Sequence, residues 1–424
     1  MRLGDTANDD AARYGKPLDG IRILAAEQMQ ALPYATQLLA RLGAEVVKVE
    51  HPVHGESGRG SSPHITDPDG RVVGATYLRN NLDKRSIGLD LKSPEGREVF
   101  LRLVPRFDVI AENFKPGTMD RMGLGYETIR GLHPQAIYLS ISGFGNGFGP
   151  GVGDLPESPY KAWPAYASVV EAMSGIYEYK AGPDQPPVTI PVGALGDISS
   201  GLFAVIGVLA ALRHRDRTGE GQYVDIAMLD AVISMTDIVT NFWSLGLRPD
   251  PDKPLAVLCE GFKAADGYVV VQIVREPQFA KLADLIGKPE WHDDPRFATR
   301  EGWVPNLENE IRPAFEAWLA DKPKLEATRL LTEAGIVAGP SNTAADVIAD
   351  PHVEARRMLV EMPRDDGVDE PVLIPGNPVK MSKVVEGPET RVPWVGEHTA
   401  DVLVDELGLT ADELAALRAA GAIA

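Results

Sequence analysis

The sequence predicts an α/β protein built on a mostly parallel sheet that helices cover on both faces. Two observations support this fold class. Short apolar runs alternate with segments of helical periodicity along the first third of the chain, and such alternation is typical of parallel sheets with helices on each side. At 424 residues the chain is too long for one ordinary domain core, so we expect two or three domains.

The alternation begins at the front of the chain. An apolar run at 21–25, a helical repeat at 34–42 that Gly43 ends, and the apolar run at 45–50 predict strand, helix and strand. The pattern then continues through a helix at 94–104, the strand run DVIAENF, a helix near 127–132 and the strand run AIYLSIS.

The middle of the chain predicts a long loop and two helices. Residues 143–164 are rich in glycine and proline, a composition typical of functional or mobile loops. Residues 197–212 are apolar nearly all round, which predicts a buried helix, and a second helix is expected near 225–245. The last stretch, 399–422, is helical again.

A smaller second domain is expected at about 255–340. The linker-like segment GLRPDPDKP (246–254) precedes it, and within it DGYVVVQIV predicts a strand and 277–286 a helix. At the other end of the chain, the polar residues 1–15 predict a loose arm.

Charge and cysteine content limit the functions open to the chain. With 42 basic and 61 acidic residues the formal net charge is −19, which argues against nucleic acid as the main partner. The single cysteine, Cys259, excludes an internal disulfide, favours a reducing compartment such as the cytoplasm, and is expected to be buried and inert. No signal peptide and no apolar run of membrane-spanning length are evident, so no membrane partner is expected.

Common cofactor motifs find little support. The turn after the first strand, AAEQMQALP, lacks the glycines that let a dinucleotide approach the backbone, so NAD is not expected. The eight histidines form no H-x-x-x-H or H-E-x-x-H pair, and His51 and His54 lie in a loop without a carboxylate partner, so no metal is expected. There is no G-x-S-x-G turn and no P-loop.

The segment GALGDISSGLFAVIGVLAAL (193–212) places one carboxylate, Asp197, where a helix should begin. Aspartate is a common N-cap, so a purely structural role is one interpretation. The other is chemical, because a helix N-terminus favours the ionised carboxylate, flanking glycines leave room for a substrate, and a carboxylate can attack an activated acyl group. The glycine-rich loop GFGNGFGP (143–150) either donates backbone N–H groups to an anion or is a flexible connection.

Many linked motifs resemble the class III CoA-transferases, the group of formyl-CoA transferase, carnitine CoA-transferase and the α-methylacyl-CoA racemases. The resemblance runs from about Lys16 to the C-terminus. The motifs that carry it, in chain order, are KPLDGIRIL, LLARLGAEVVKVEHP, NNLDKRSIGLDLKSPEG, DVIAENFKPGTMDRMGLGYE, SISGFG, EAMSG, GALGDISSGLFAVIGVLAAL, RTGEGQYVDIAMLDA, GIVAGPSNTAADVIADPHVEAR and VGEHTADVLVDELGL.

The resemblance implies a Rossmann-like large domain formed by both chain ends, an inserted smaller α+β domain, and an interlocked homodimer. Combined with the sequence pattern it predicts the following division: a flexible arm at 1–15, the first part of the large domain at 16–228, a linker helix and loop at 229–254, the small domain at 255–340, and a linker with the rest of the large domain at 341–424.

The resemblance also implies an activity and a site. Acyl-CoA and a carboxylic acid are the implied substrates, and Asp197 is the implied nucleophile, which forms a mixed anhydride and releases CoA. Coenzyme A is expected to contact six residues that match the family's motifs: Gln30, Ala31, Leu89, Asn113, Phe114 and Arg121. Each also has a structural interpretation, for example Leu89 and Phe114 as core residues and Arg121 as a solvated helix residue.

Four departures from the family's pattern stand out. His51 replaces a basic residue that many members carry after the VKVE strand, and no multi-glycine run occurs between Met228 and Tyr268, so any loop over the aspartate must come from elsewhere, such as 143–153. Tyr166 occupies the position of the racemases' histidine base, and Glu171 stands where many members have glutamine.

Three functions therefore remain open from the sequence. A phenol is a poor base at neutral pH, which favours a CoA-transferase over an α-methylacyl-CoA racemase or epimerase. The third is a non-catalytic protein that binds CoA esters, against which the intact GDISSG motif argues.

Overall fold

The computed structural model describes residues 1–66, 70–148, 153, 155–177, 194–236, 239–247 and 257–424. The chain divides into two compact units, one formed by Met1–Leu247 and Ala355–Ala424 and the other by Arg248–Glu354. The predicted linker at 246–254 falls mostly outside the described residues.

A six-stranded parallel sheet forms the centre of the first unit, as the alternation of strands and helices predicts. Its strands are β1 (Arg22–Ala26), β2 (Glu45–Glu50), β5 (Lys84–Gly88), β6 (Val109–Glu112), β7 (Ile137–Ser142) and β8 (Tyr223–Ala227). They lie in the order β5-β2-β1-β6-β7-β8, which is the order of doubly wound nucleotide-binding sheets. Two small antiparallel pairs accompany it, β3 (His64–Thr66) with β4 (Val72–Gly74) and β12 (Leu359–Met362) with β13 (Val372–Pro375).

Helices cover both faces of this sheet. The helices of the first unit are α1 (Ala31–Arg41), α2 (Ala75–Asn80), α3 (Pro94–Leu103), α4 (Thr118–Arg121), α5 (Tyr126–Leu132), α6 (Ala167–Met173), α7 (Leu195–Thr218), α8 (Met228–Met235), α9 (Val239–Ser244), α15 (Thr399–Leu407) and α16 (Ala411–Ala419), with 3-10 turns at Asp9–Tyr14, Ser57–Gly60 and Val104–Arg106.

Alternate residues of the central strands face two separate cores. Ile23 and Ala25 lie in the core that α1 and α7 close, whereas Leu24 and Ala26 lie in the core that α3 and α15 close. Because both faces are buried, β1, β6 and β7 consist mainly of apolar residues, whereas β2 and β5 also carry the buried lysines Lys48 and Lys84. The C-terminal helix α15 is therefore part of the same core as the N-terminal strands.

The second unit has its own antiparallel sheet and core. Strands β9 (Leu258–Ala264), β10 (Gly267–Ile273) and β11 (Val337–Pro340) pair in the order β11-β10-β9. The helices are α10 (Glu276–Leu285), α11 (Arg312–Leu319), α12 (Lys324–Glu333), α13 (Ala344–Ile348) and α14 (Pro351–Ala355), with short turns at Pro289–His292, Arg300–Gly302 and Leu307–Ile311. Cys259 is exposed, not buried, because on β9 it alternates with buried Leu258.

Two further expectations are wrong in detail. Residues 1–15 are not a loose arm, since the amino group of Met1 donates to the Leu359 carbonyl and the Asn8 side chain donates to the carbonyls of Met381 and Val384. The predicted helix at 225–245 begins only at Met228, because residues 223–227 form the edge strand β8.

The long helix α7 is only partly buried, although its sequence predicts burial all round. Ala204 and Val208 lie in the core, whereas Leu202, Ile206 and Leu209 are exposed, Ile206 by 59%. By length and composition this helix is apolar enough to cross a membrane, contrary to the sequence expectation, with a mean hydropathy of 1.9 over its most apolar window. Its buried face packs as a core helix does, which makes that resemblance weak evidence of a membrane span.

Glycine at position 201 permits α7 to lie close to α1. A β-carbon there would lie 2.8 Å from Tyr34 Cδ1 and 2.9 Å from the Ala31 carbonyl oxygen. We therefore expect Gly201→Ala to lower the free energy of unfolding by about 1–3 kcal/mol, because backbone at the contact cannot yield as a side chain can. Gly131→Ala is the matched control, since its β-carbon would meet no atom within 4 Å. Thermal unfolding of both variants provides the comparison, and equal midpoints would contradict this account of the contact.

Candidate active site

A cavity of about 470 Å³ opens at the carboxyl ends of the parallel strands. It is lined by residues that follow β1, β6, β7 and β8 and by the first turn of α7. The sheet changes its direction of winding between β1 and β6, and open α/β sheets bind ligands at this place. Asp197, Gln30, Ala31, Asn113 and Phe114, five of the residues predicted from the sequence, all line this cavity.

Two hydrogen bonds cross the switch point and fix the turn after β1. The Gln28 backbone N–H donates to Asn113 Oδ1 at 2.8 Å, and Asn113 Nδ2 donates to the Gln28 carbonyl at 2.9 Å. Met29 has φ of 59°, an unusual value for a residue with a side chain, and its N–H donates to Glu56 Oε2 at 2.8 Å. Side chains thus shape a turn that glycines shape in dinucleotide-binding proteins.

Gln30 brings an unused donor to the cavity. Its Nε2 is buried and has no hydrogen-bond partner among the described residues. Since an unpaired buried amide costs about 1–3 kcal/mol, a ligand with an acceptor oxygen would stabilise this side chain.

Asp197 lies in the first turn of α7 but is not its N-cap. The N-cap is Ala194, which makes no side-chain capping bond, and Asp197 is the third residue of the helix. The predicted N-cap role is therefore wrong, because the helix begins at Leu195, two residues before Asp197. The carboxylate instead lines the cavity.

The electrostatic surroundings of Asp197 also differ from the expectation that the helix N-terminus dominates. Burial raises the pKa of the Asp197 carboxyl to about 6, the charge of Glu171 raises it as well, and Arg79 opposes both. Desolvation of the charged form is the largest of these influences. The group is still mainly ionised at pH 7, and it is more basic than an ordinary aspartate.

The glycines beside Asp197 make room for protein, not for a substrate. A β-carbon at position 196 would lie 2.8 Å from Val170 Cγ2 and 2.9 Å from Ala167 Cα, so α6 lies directly against α7 at this point. Gly201 makes the equivalent contact with α1, and Gly193 lies outside the described residues.

Glu171 is buried in this helix contact, where the sequence left its role open. It is 5% exposed; its Oε1 accepts the Gly196 N–H at 3.1 Å and its Oε2 accepts the Tyr177 O–H at 2.5 Å. The sequence contains one indication that this position is unusual, because Glu171 stands where many family members have glutamine.

Three N–H groups of the glycine-rich loop are bonded within the protein and are not offered to an external anion. The N–H groups of Asn146 and Gly147 donate to Asp225 Oδ2 at 2.8 and 3.0 Å, and that of Gly145 donates to Ser142 Oγ. An internal carboxylate thus occupies this turn. Residues 149–152, part of the predicted covering loop, lie outside the described residues.

A second cavity, of about 350 Å³, shares Gln28, Ser57, Phe114 and Thr118 with the first. Leu89 and His51 line it, so Leu89, though 2% exposed and part of a core cluster, also borders a possible ligand space. Arg121 is not in either lining, but its Nη2 donates to Thr118 Oγ1 at 3.0 Å, which places it at the rim.

Two lysines that the sequence did not single out lie at these cavities. Lys115 lines the first and Lys92 the second, and both are exposed. Lys115 directly follows the ENF motif, and Lys92 lies three residues after Leu89 in the motif NNLDKRSIGLDLKSPEG. Their positions within these motifs were the indication available in the sequence. Tyr166, 75% exposed, lines the first cavity with Asp197.

The described residues contain no group of three or more His, Cys, Asp or Glu side chains that could hold a metal ion. His51 and His54 stack on each other at 4.9 Å between ring centroids.

Comparison with known proteins identifies the family. Residues 18–399 match the family described as CoA-transferase family III, which confirms the resemblance found in the sequence. The chain belongs to this family and is a class III CoA-transferase.

Similar proteins cover nearly the whole chain. A succinyl-CoA:mesaconate CoA-transferase of Haloarcula hispanica is 37% identical over 92% of this chain and 96% of its own length. A formyl-CoA:oxalate CoA-transferase of Streptomyces coelicolor is 36% identical over 96% of this chain and 99% of its own. A crystal structure of a CAIB/BAIF family protein from Brucella suis superposes with a TM-score of 0.78 at 33% identity, covering 92% of this chain and 99% of that one.

The raised pKa of Asp197 predicts a pH-dependent cost to stability. Folding raises this pKa from 3.8 to about 6, so between those values the folded state retains a proton that the unfolded state has lost. Stability from this group therefore falls as pH rises through the window. We expect Asp197→Asn to be about 1–3 kcal/mol more stable than wild type at pH 7 and nearly equal to it at pH 4.

Thermal unfolding at the two pH values measures this difference. Asp216→Asn, at the exposed end of the same helix, is the control and should change stability much less. A loss of stability in Asp197→Asn at pH 7 would contradict the predicted burial cost.

Proposed function

We propose that this chain moves coenzyme A from an acyl-CoA donor to a carboxylic acid acceptor, with Asp197 carrying the acyl group as a mixed anhydride. The observation that supports this most is the position of Asp197. An ionised and unusually basic carboxylate lines a cavity at the switch point of a doubly wound sheet. A carboxylate of this kind can attack a thioester.

The proposed reaction uses four balanced steps. An Asp197 oxygen attacks the thioester carbon, the C–S bond breaks, and CoA leaves as the thiolate. The thiolate then attacks the aspartyl carbon of the anhydride, which releases the donor acid and leaves an aspartyl-CoA thioester. The acceptor carboxylate displaces CoA from this thioester to give a second anhydride. CoA finally attacks the acceptor's acyl carbon and frees Asp197.

The two adjoining cavities suit the length of a CoA ester. Gln30, on the wall of the first cavity, carries an unpaired amide donor that a carbonyl or amide oxygen of the ligand would satisfy, and Phe114 lies where the two cavities meet. Lys92, Lys115 and Arg121 supply positive charge at the rims for the phosphates of the nucleotide end. In a chain of net charge −19, such a local basic group is what an anionic cofactor requires.

The substrates we propose are small organic acids. One of the two relatives is named for succinyl-CoA and mesaconate, and the other for formyl-CoA and oxalate. The name of each therefore includes a dicarboxylic acid as a substrate. A racemase reaction receives less support. Tyr166, which matches the racemases' histidine by its place in the sequence, lines the cavity, and a phenol is a poor base at neutral pH.

Removal of the nucleophile tests the proposal. We expect Asp197→Ala to lower acyl transfer by about 10³-fold or more, because no other carboxylate lies on the described cavity wall to form the anhydride. Asp216→Ala should keep wild-type turnover. Wild type incubated with succinyl-CoA and hydroxylamine should yield a hydroxamate on the peptide that contains residue 197, detected by mass spectrometry.

Full transfer activity in Asp197→Ala would end the proposal. Exchange of the substrate's α-proton with solvent in the absence of any acceptor acid would instead indicate a racemase.

We also propose that the chain forms a homodimer, as its resemblance to the family implies. The exposed stripe of Leu202, Ile206 and Leu209 on α7 supports this, since three large apolar residues on one helix face are costly in water. A second copy of the chain is the partner we propose for this face.

A charge on that stripe should weaken the dimer. We expect Ile206→Glu to give monomers in sedimentation velocity experiments at concentrations at which wild type is dimeric. Leu325→Glu is the control, because Leu325 is a leucine that is 71% exposed and lies outside α7. It measures the effect of placing a charge on an exposed apolar residue elsewhere. A dimer of unchanged stability in Ile206→Glu would remove α7 from the interface.

A further inference from the structure

Glu171 makes the only side-chain capping contact found among the described residues at the start of α7. The helix has no cap from its own N-cap residue, Ala194, yet the first-turn N–H of Gly196 donates to Glu171 Oε1 at 3.1 Å. A carboxylate from a neighbouring helix therefore occupies the position that an N-cap side chain usually fills. Gly196 is the residue directly before Asp197 in the chain.

The carboxylate is held from both sides. Its second oxygen accepts the Tyr177 O–H at 2.5 Å, and Tyr177 is itself buried. Burial, followed by the hydrogen bond to Glu171, raises the pKa of the Tyr177 phenol to about 12, so it remains a donor at neutral pH. The close contact of α6 with Gly196 leaves the Glu171 backbone little freedom to move.

We propose that Glu171 is a positioning residue for Asp197: it fixes the first turn of α7 and places a second negative charge beside the nucleophile. This inference rests on the proposed function of Asp197. The charge makes the ionised aspartate less stable and more reactive toward a thioester. Acylation neutralises Asp197, so the repulsion between the two carboxylates is relieved as the anhydride forms.

Other groups act on Asp197 from the elements around it, and they bound the size of the effect. Arg79 on α2 opposes Glu171, and with a neutral glutamine at position 171 only burial would oppose Arg79. Further titratable groups lie on the elements that line the cavity or pack against α7: Tyr34 and Arg41 on α1, Tyr138 on β7, Tyr166 at the start of α6, Tyr223 and Asp225 on β8, Asp230 on α8 and Lys115 after β6.

Glu171→Gln tests the charge while keeping an acceptor for Gly196. We expect the pH at which the acyl-transfer rate is half-maximal to fall by at least about half a unit from its wild-type value, and the plateau rate to fall roughly 3- to 10-fold, because a less basic nucleophile reacts more slowly. A merely structural role for Glu171 would lower the rate without moving the midpoint.

Glu171→Asp tests the position while keeping the charge. Its shorter side chain should leave the midpoint near that of wild type but lower the plateau rate, since its oxygen no longer reaches Gly196. This variant also provides a test if Glu171→Gln does not fold. Tyr177→Phe removes one donor to the carboxylate and should not lower the midpoint.

The possible outcomes separate this inference from the proposed function. If Asp197→Ala is inactive while Glu171→Gln keeps the wild-type midpoint and rate, the role of Glu171 is wrong and the role of Asp197 stands. If Asp197→Ala is active, the proposed function fails whatever the Glu171 variants do.

Discussion

The close contact of three helices at Gly196 and Gly201 is the constraint on which the site depends. At both positions a β-carbon would lie under 3.0 Å from neighbouring atoms, so α6 and α1 can approach the first turns of α7 only because side chains are absent. Asp197 lies between these two contacts. Its carboxylate is thereby partly withdrawn from water, which raises its pKa, while it still faces the cavity. The two glycines thus permit the close helix packing and, through it, the raised pKa of Asp197.

A buried charged cluster lies beside the second cavity, where Glu27 contributes to the lining. Lys84 Nζ donates to Glu27 Oε1 at 2.7 Å, and Lys48 lies 3.4 Å from the same oxygen, with these side chains fully buried. Burial lowers the pKa of Lys84 to about 8, although Glu27 opposes the change. Removing one member of such a cluster typically costs about 3–5 kcal/mol because a buried charge is left unpaired. The turn at Gln28–Gln30 begins directly after Glu27 and so depends on this cluster.

The parallel sheet could be predicted well from the sequence, because its buried strands appear as short apolar runs between segments of helical periodicity. Residues 45–50 form β2 with the predicted bounds, and Asp197 and Asn113 line one cavity although 84 positions separate them in the chain. The order of the family's motifs along the chain, and not any local sequence pattern, predicted that these two residues share a site. The predictions failed where tertiary contacts decide the outcome: the role of Glu171 stayed open, the glycines beside Asp197 were expected to leave space for a substrate, and α7 was expected to be buried all round.

Those failures share a physical origin. A helical repeat shows which residues are apolar, but not whether a neighbouring helix, a ligand or a second chain covers them. Likewise, a carboxylate near a helix N-terminus has opposing influences on its pKa, and only the structure shows that burial and Glu171 raise the pKa of Asp197.

The most direct test of the account follows an oxygen atom. Turnover with an acceptor acid that carries heavy oxygen in its carboxylate should leave that label in the side chain of Asp197, because the second anhydride returns an acceptor oxygen to the enzyme. Mass spectrometry of the peptide containing residue 197 would detect it after many turnovers. Label in that peptide is the predicted result; product formation with no label in Asp197 would show that the acyl group never resided on this carboxylate.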